Sequence, residues 1–166
     1  MTSGLARGIP SLFVDLKSLY VDETKRDQIE SIVEEICNSL SETASAPGPS
    51  DEPPTTYLWT LYFLAQHHSA LGRYSRAFDV ITAAITHTPT LPDLYTARAR
   101  ILKRAGDPLG AASSLEDARL LDGQDRFLNT KCAKYRLRAG LIEEANEILG
   151  LFTKVGSPPL SKRTQC

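Results

Sequence analysis

Between Tyr57 and Ser157 one pattern is written three times at a spacing of 34 residues. Gly72, Gly106 and Gly140 keep that step, as do Ala65, Ala99 and Ala133, and Ala77, Ala111 and Ala145. Ile81, Leu115 and Leu149 repeat it, and Ala84, Ala118 and Phe152 follow with one large residue in the last copy. Five coincident ladders mean that one supersecondary unit recurs. A unit of this size cannot bury its apolar face alone, so neighbouring copies must stack.

The residue types say what the unit is. Ala65 and Ala77 are small where two helices of a hairpin come close, because a larger side chain would push the axes beyond roughly 8 to 10 Å. Gly72 falls where the first helix ends and the chain turns at once, a left-handed position that glycine occupies without steric cost. In the second copy Asp107 is placed to cap the next helix, with Pro108 at its first position, where the missing N–H does no harm. The pattern resembles the tetratricopeptide repeat. The expected fold is all-α, a tetratricopeptide-like solenoid of antiparallel helix hairpins, with repeats at 58–91, 92–125 and 126–156. Pro89 closes the first repeat as the family's proline does, whereas Gly123 and Ser157 stand there in the others.

Upstream the repeat marks fade. Gly8-Ile9-Pro10-Ser11 reads as a turn opening a helix with Leu12, Phe13, Leu16 and Leu19 on its apolar face. A second helix is expected from about Glu23 to Leu40, with Ile29, Ile32, Val33, Ile36 and Leu40 in one stripe. Residues 1–40 thus read as a degenerate hairpin. Residues 41–56, rich in proline and serine, read as a linker longer than the usual helix connection. The helix expected from Tyr57 to Leu71 has no charged residue. Either the preceding hairpin covers it or another protein does. From Ser157 to Cys166 an irregular tail is expected, and the array has no polar capping helix, so the chain reads as a piece of something longer or a truncated copy.

Composition narrows the function. A formal net charge of −1 points to neither a nucleic-acid coat nor a membrane surface, and direct DNA binding is not expected. No apolar run is long enough for a membrane helix, and a cytoplasmic protein is expected. Cys37, Cys132 and Cys166 form no CxxC pair, and Cys132 falls on an inward helix face, a core packing position. Adjacent His67 and His68 point about 100° apart on a helix, with no glutamate or histidine four residues away, so no metal site is expected. His87 stands near a helix end, where it complements the last turn. No phosphate loop or nucleophile elbow is present, and an enzyme is not expected.

Charge clusters locally. Arg126, Lys131, Lys134, Arg136 and Arg138 lie between Arg126 and Ala139 with no acidic residue among them. Arg100 and Lys134 are one repeat apart, and so are Arg104 and Arg138, which places four cations on first helices facing one groove. The groove is expected to take an acidic peptide, a polyphosphate or an acidic partner surface, unless it is a solvated face with ion pairs. Arg136, two residues from Lys134, must point elsewhere.

The segment Asp125-Arg126-Phe127-Leu128-Asn129-Thr130-Lys131-Cys132-Ala133-Lys134-Tyr135 resembles the large auxiliary subunit of the NatA N-terminal acetyltransferase. Gly8 to Phe13, Leu16 to Tyr20, Tyr57 to Trp59 and Leu61 to His67 are similar to it as well, so the resemblance covers most of residues 8–156. It implies a non-catalytic scaffold that binds the catalytic acetyltransferase subunit and helps place it at the ribosome, where emerging N-termini are acetylated. It also implies an inositol polyphosphate in a basic pocket, with Arg126, Lys131, Lys134 and Tyr135 as the matching positions. Family members are several times longer, and the tail from Ser157 does not resemble theirs. The competing expectation is a free-standing tetratricopeptide adaptor for an acidic peptide. Its chaperone-tail clamp needs asparagines where this chain has Gln66, Arg100, Lys134 and Ala70, Arg104, Arg138, which favours the scaffold.

Overall fold

A computed structural model describes residues 4–5, 7–45 and 54–151. The chain divides into two compact units, Met1–Pro89 and Thr90–Cys166. Among the described residues there is no strand, and no helix is long and apolar enough to cross a membrane. The expected tail at 157–166 and the ladder residue Phe152 lie outside the described residues.

The first unit holds α1 (Leu12–Leu16), a 3-10 turn (Lys17–Val21), α2 (Glu23–Ser45), α3 (Pro54–Ala70) and α4 (Tyr74–His87). Its opening differs from the expected hairpin. The first helix ends at Leu16 and tightens into the 3-10 turn. The cause is Asp22, whose extended backbone (φ −94°, ψ 114°) lets its carboxylate accept from the Thr24 and Lys25 amides at 3.0 and 3.2 Å. That cap starts α2 and ends whatever precedes it. Both ends of the expected 41–56 linker are helical, and only 46–53 lie outside the described residues. The serines do not break α2, because Ser39 and Ser41 donate to the Ile36 and Asn38 carbonyls at 2.9 and 2.8 Å and stay within the helix.

The uncharged helix α3 is enclosed. Leu58 and every residue from Thr60 to Ser69 are buried. Phe63 and Leu64 join Leu5, Phe13, Ile29 and Val33 in one apolar cluster. Phe13 meets Phe63 edge-to-face at 5.6 Å and Tyr20 at 5.5 Å. The preceding segment therefore covers one side of α3, which is why that helix has no polar stripe.

The second unit holds α5 (Pro92–Ala105), α6 (Pro108–Leu121), α7 (Arg126–Arg138) and α8 (Ile142–Gly150). Gly106 and Gly140 turn it at φ 92° and 81°, as Gly72 turns the first unit at 75°. A Cβ at any of the three would touch nothing within 4 Å among the described residues, so backbone conformation, not space, requires glycine there. Asp107 caps α6 by accepting from the Gly110 amide at 2.8 Å. Asp125 caps α7 through the Phe127 amide at 2.7 Å. Behind this cap buried Asn129 donates to the Gly123 and Asp125 carbonyls at 2.9 and 2.8 Å, which fixes the entry of α7. The small-residue ladders are the core, with Ala99, Ala111, Leu115, Cys132 and Ala145 fully enclosed.

Candidate functional site

Residues Phe127, Lys131, Lys134, Tyr135 and Arg138 recur at helical spacing and share one face of α7. Together with Thr130 and with Lys103 from α5 they line a cavity of about 430 Å³. Its apolar wall is aromatic and its rim is cationic. The ammonium of Lys103 lies 5.8 Å from the Tyr135 ring centre and the guanidinium of Arg138 lies 5.7 Å from it. Lys131 sits 4.9 Å from the centre of Phe127. The ring faces carry negative charge density and hold the cations in place without neutralising them.

The field at this face is positive. Burial lowers the Lys103 ammonium below the ordinary lysine range, and Arg138, Arg104, Arg100 and Lys134 lower it further. Burial lowers Lys131 as well, followed by Arg100. Among the described residues no carboxylate comes within ion-pair distance of Lys103, Lys131, Lys134 or Arg138. Asp93 opposes the crowding at Lys131 only through its field, and cations crowded in this way favour a compact polyanion, which relieves the repulsion and gains several charge-assisted hydrogen bonds at once.

On the other side of α7, Arg136 donates to Glu116 at 2.9 Å and pairs with Glu144 of α8. Its side chain is only 14% exposed. The Cys132 thiol donates to the same Glu116 carboxylate at 3.4 Å, and burial raises its pKa. This makes Cys132 a core residue, as its inward position implies.

A second polar cluster lies in the first unit. His67 and His68 of α3 are 0% and 1% exposed. Their donor atoms and the carboxylate of Glu30 from α2 all lie within 4.8 Å of one another. His67 Nε2 is 3.4 Å from Glu30 Oε2, and Tyr20 Oη is 2.6 Å from His67 Nδ1. The expectation that the two histidines cannot converge on one ligand therefore needs correction. Adjacent positions do diverge on the helix, but their rings come within 5.3 Å of each other, and the third group arrives from another helix. The two segments are far apart in sequence, so no local spacing could show it.

The family of N-terminal acetyltransferase A auxiliary subunits matches residues 1–165. The chain belongs to that family. It is 46% identical over 153 residues to the N-terminal acetyltransferase A complex auxiliary subunit NAA15 of Arabidopsis thaliana, covering 92% of this chain and 17% of the relative. It is 46% identical over 156 residues to the human N-alpha-acetyltransferase 16, NatA auxiliary subunit, covering 92% of this chain and 18% of the relative. It superposes on a chain in the structure of Naa15/Naa10 bound to HypK-THB with a TM-score of 0.81 and 35% identity, covering 96% of this chain and 23% of that one. The chain thus spans less than a fifth of the length of these curated relatives.

In this NatA auxiliary-subunit segment the structure brings Lys131, Lys134, Tyr135 and Arg138 into one cavity. Arg100 and Arg104 act on it through their fields, without lining it. Arg126, exposed in the first turn of α7, does not line it either. The residue that sequence reasoning missed is Lys103. It lies off the 34-residue ladder, since the equivalent position one repeat later is Leu137. Its only signal was its place on the same basic helix as Arg100 and Arg104.

Proposed function

We propose that this chain is part of a non-catalytic scaffold of a NatA-type N-terminal acetyltransferase. Its helices hold the catalytic subunit, and the assembly works in the cytoplasm at the ribosome on emerging N-termini. The observation that carries this reading is the family match over residues 1–165, reinforced by the similarity to a chain in a Naa15/Naa10 complex. The face of α7 with Lys131, Lys134, Tyr135 and Arg138, completed by Lys103, binds a compact polyanion such as an inositol polyphosphate. A bound polyanion there would turn a repulsive patch into a rigid, neutralised surface suited to a partner.

The test is size-exclusion chromatography of the purified chain with the catalytic acetyltransferase subunit, with and without inositol hexakisphosphate. Co-elution that strengthens with the polyphosphate is expected, and acetyl transfer should appear only in fractions holding the catalytic subunit. Acetyl transfer by this chain alone would overturn the non-catalytic reading. Failure to co-elute, combined with binding of an acidic C-terminal peptide, would support the free-standing adaptor instead.

A further inference from the structure

We propose that Glu30, His67 and His68 form a site for a divalent transition metal, of the zinc type, within the first unit. The donor set is two imidazoles and one carboxylate, which suits Zn²⁺ and its first-row neighbours and is a poor match for Mg²⁺ or Ca²⁺. Three features separate the cluster from an ordinary buried histidine pair.

The first is the bonding of the two rings. His68 Nδ1 is buried with no hydrogen-bond partner among the described residues, and His67 Nε2 faces Glu30 Oε2 at 3.4 Å. Buried polar atoms are nearly always satisfied, and a cation shared with the Glu30 carboxylate would satisfy the His68 nitrogen. The second is convergence. The three ligand atoms come from two helices, α2 and α3, yet lie within 4.8 Å of one another, with both imidazoles almost fully enclosed.

The third is the surrounding shell. Glu30 Oε1 pairs with the Arg73 guanidinium, which leaves Oε2 turned toward His67. Tyr20 stands on the far nitrogen of His67. With a metal on Nε2, the ring carries its proton on Nδ1 and donates to the Tyr20 oxygen, an outer hydrogen bond of the kind that orients a ligating histidine. A neutral ring reaches that form by a change of tautomer alone, so no net proton would leave it. A carboxylate paired to arginine and an imidazole paired to tyrosine hold two of the three ligand atoms in fixed orientations.

The experiment uses the chelator-stripped full chain, titrated with Zn²⁺ against a chromophoric chelator, with Mg²⁺ as the control. One equivalent of Zn²⁺ and none of Mg²⁺ is expected to bind. His68→Phe should lower the Zn²⁺ affinity at least tenfold and abolish the Zn²⁺-induced rise in melting temperature, and Tyr20→Phe should lower the affinity roughly 10- to 100-fold. Circular dichroism checks that each variant folds. Co²⁺ bound to the unmodified chain should show visible d–d bands without the thiolate charge-transfer band that coordination by Cys37 or Cys132 would give, a readout that needs no variant. Equal Zn²⁺ binding by wild type and His68→Phe, a thiolate band with Co²⁺, or no uptake at micromolar Zn²⁺ would each overturn the proposal.

Discussion

Arg136 of α7 donates to Glu116 of α6 at 2.9 Å, and that carboxylate also accepts from Arg119 at 3.0 Å. The pair decides the layout of α7. One side of the helix is pinned to α6 and α8 by paired charges, and the other side is left with unneutralised cations around Tyr135. A residue two positions from Lys134 on a helix is turned roughly 200° away from it. Two neighbouring basic residues therefore have opposite roles.

Arg136→Ala removes a mostly enclosed partner of Glu116 and Glu144. A loss of about 1 to 3 kcal/mol is expected in urea unfolding. Lys134→Ala, on the exposed side, should stay within about 0.5 kcal/mol of wild type. Equal losses from the two would mean that the Glu116 pair adds nothing to the fold.

Glu116 also sets an acid limit. Hydrogen bonds from Arg119 outweigh burial, and those from Arg136 and Cys132 add to them, so its carboxyl pKa falls from the ordinary 4.5 to about 2. A carboxylate with a depressed folded-state pKa contributes its full stability above the unfolded pKa and loses it as pH falls through the folded one. The melting temperature should therefore drop between pH 4.5 and about 2. In Glu116→Gln that part of the acid limb should be flatter. An unchanged slope in the variant would show that other carboxylates dominate.

Two glycines should respond with opposite sign. Gly106 has φ 92° and free space around it, so Gly106→Ala suffers only from the left-handed backbone, about 1 to 2 kcal/mol. Gly150 ends α8 with nothing among the described residues within 4 Å of an added Cβ, and its φ is not positive. Gly150→Ala should stabilise by about 0.5 kcal/mol, because alanine loses less freedom in a helix. Denaturant midpoints of both variants check the pair.

The hairpins were legible because the constraint on them is local and repeated. Gly72, Gly106 and Gly140 each mark a backbone state that few residues tolerate, and the alanines of the ladders are all enclosed. Asp107 sits at a true helix start. What stayed hidden depends on contacts between distant segments or on competition at an element's end. The α1 helix looked longer because Leu19 continues its stripe, yet the Asp22 cap ends it first. Glu30 meets His67 only when α2 folds against α3. Lys103 reaches Tyr135 across two helices, and no repeat partner announces it. The face of Arg136 was readable, since it follows from helix geometry alone.

The α7 face should bind a compact polyanion. Lys103, Lys131, Lys134 and Arg138 line one cavity, and the fields of Arg100 and Arg104 add to theirs at Lys103. Each charge-assisted contact is worth about 1.5 to 3 kcal/mol before ordering and desolvation are subtracted, so three or four support binding on the order of micromolar. Lys134→Glu with Arg138→Glu reverses two of the lining charges and should abolish the calorimetric heat of inositol hexakisphosphate binding. Lys103→Glu alone should weaken binding at least tenfold, although it belongs to no repeat ladder. Arg104→Glu, which acts only through its field, should cost less and lose its effect as salt rises. Arg136→Glu is unsuitable as a neutral control, because it places a third acid beside Glu116 and Glu144 and threatens the fold. Exposed Arg7 takes that part, and Arg7→Glu should leave binding unchanged. Equal losses from Arg7→Glu and Lys103→Glu would reduce the pocket to diffuse surface charge, and absence of heat with the unmodified chain would end the reading of this face as a free-ligand site.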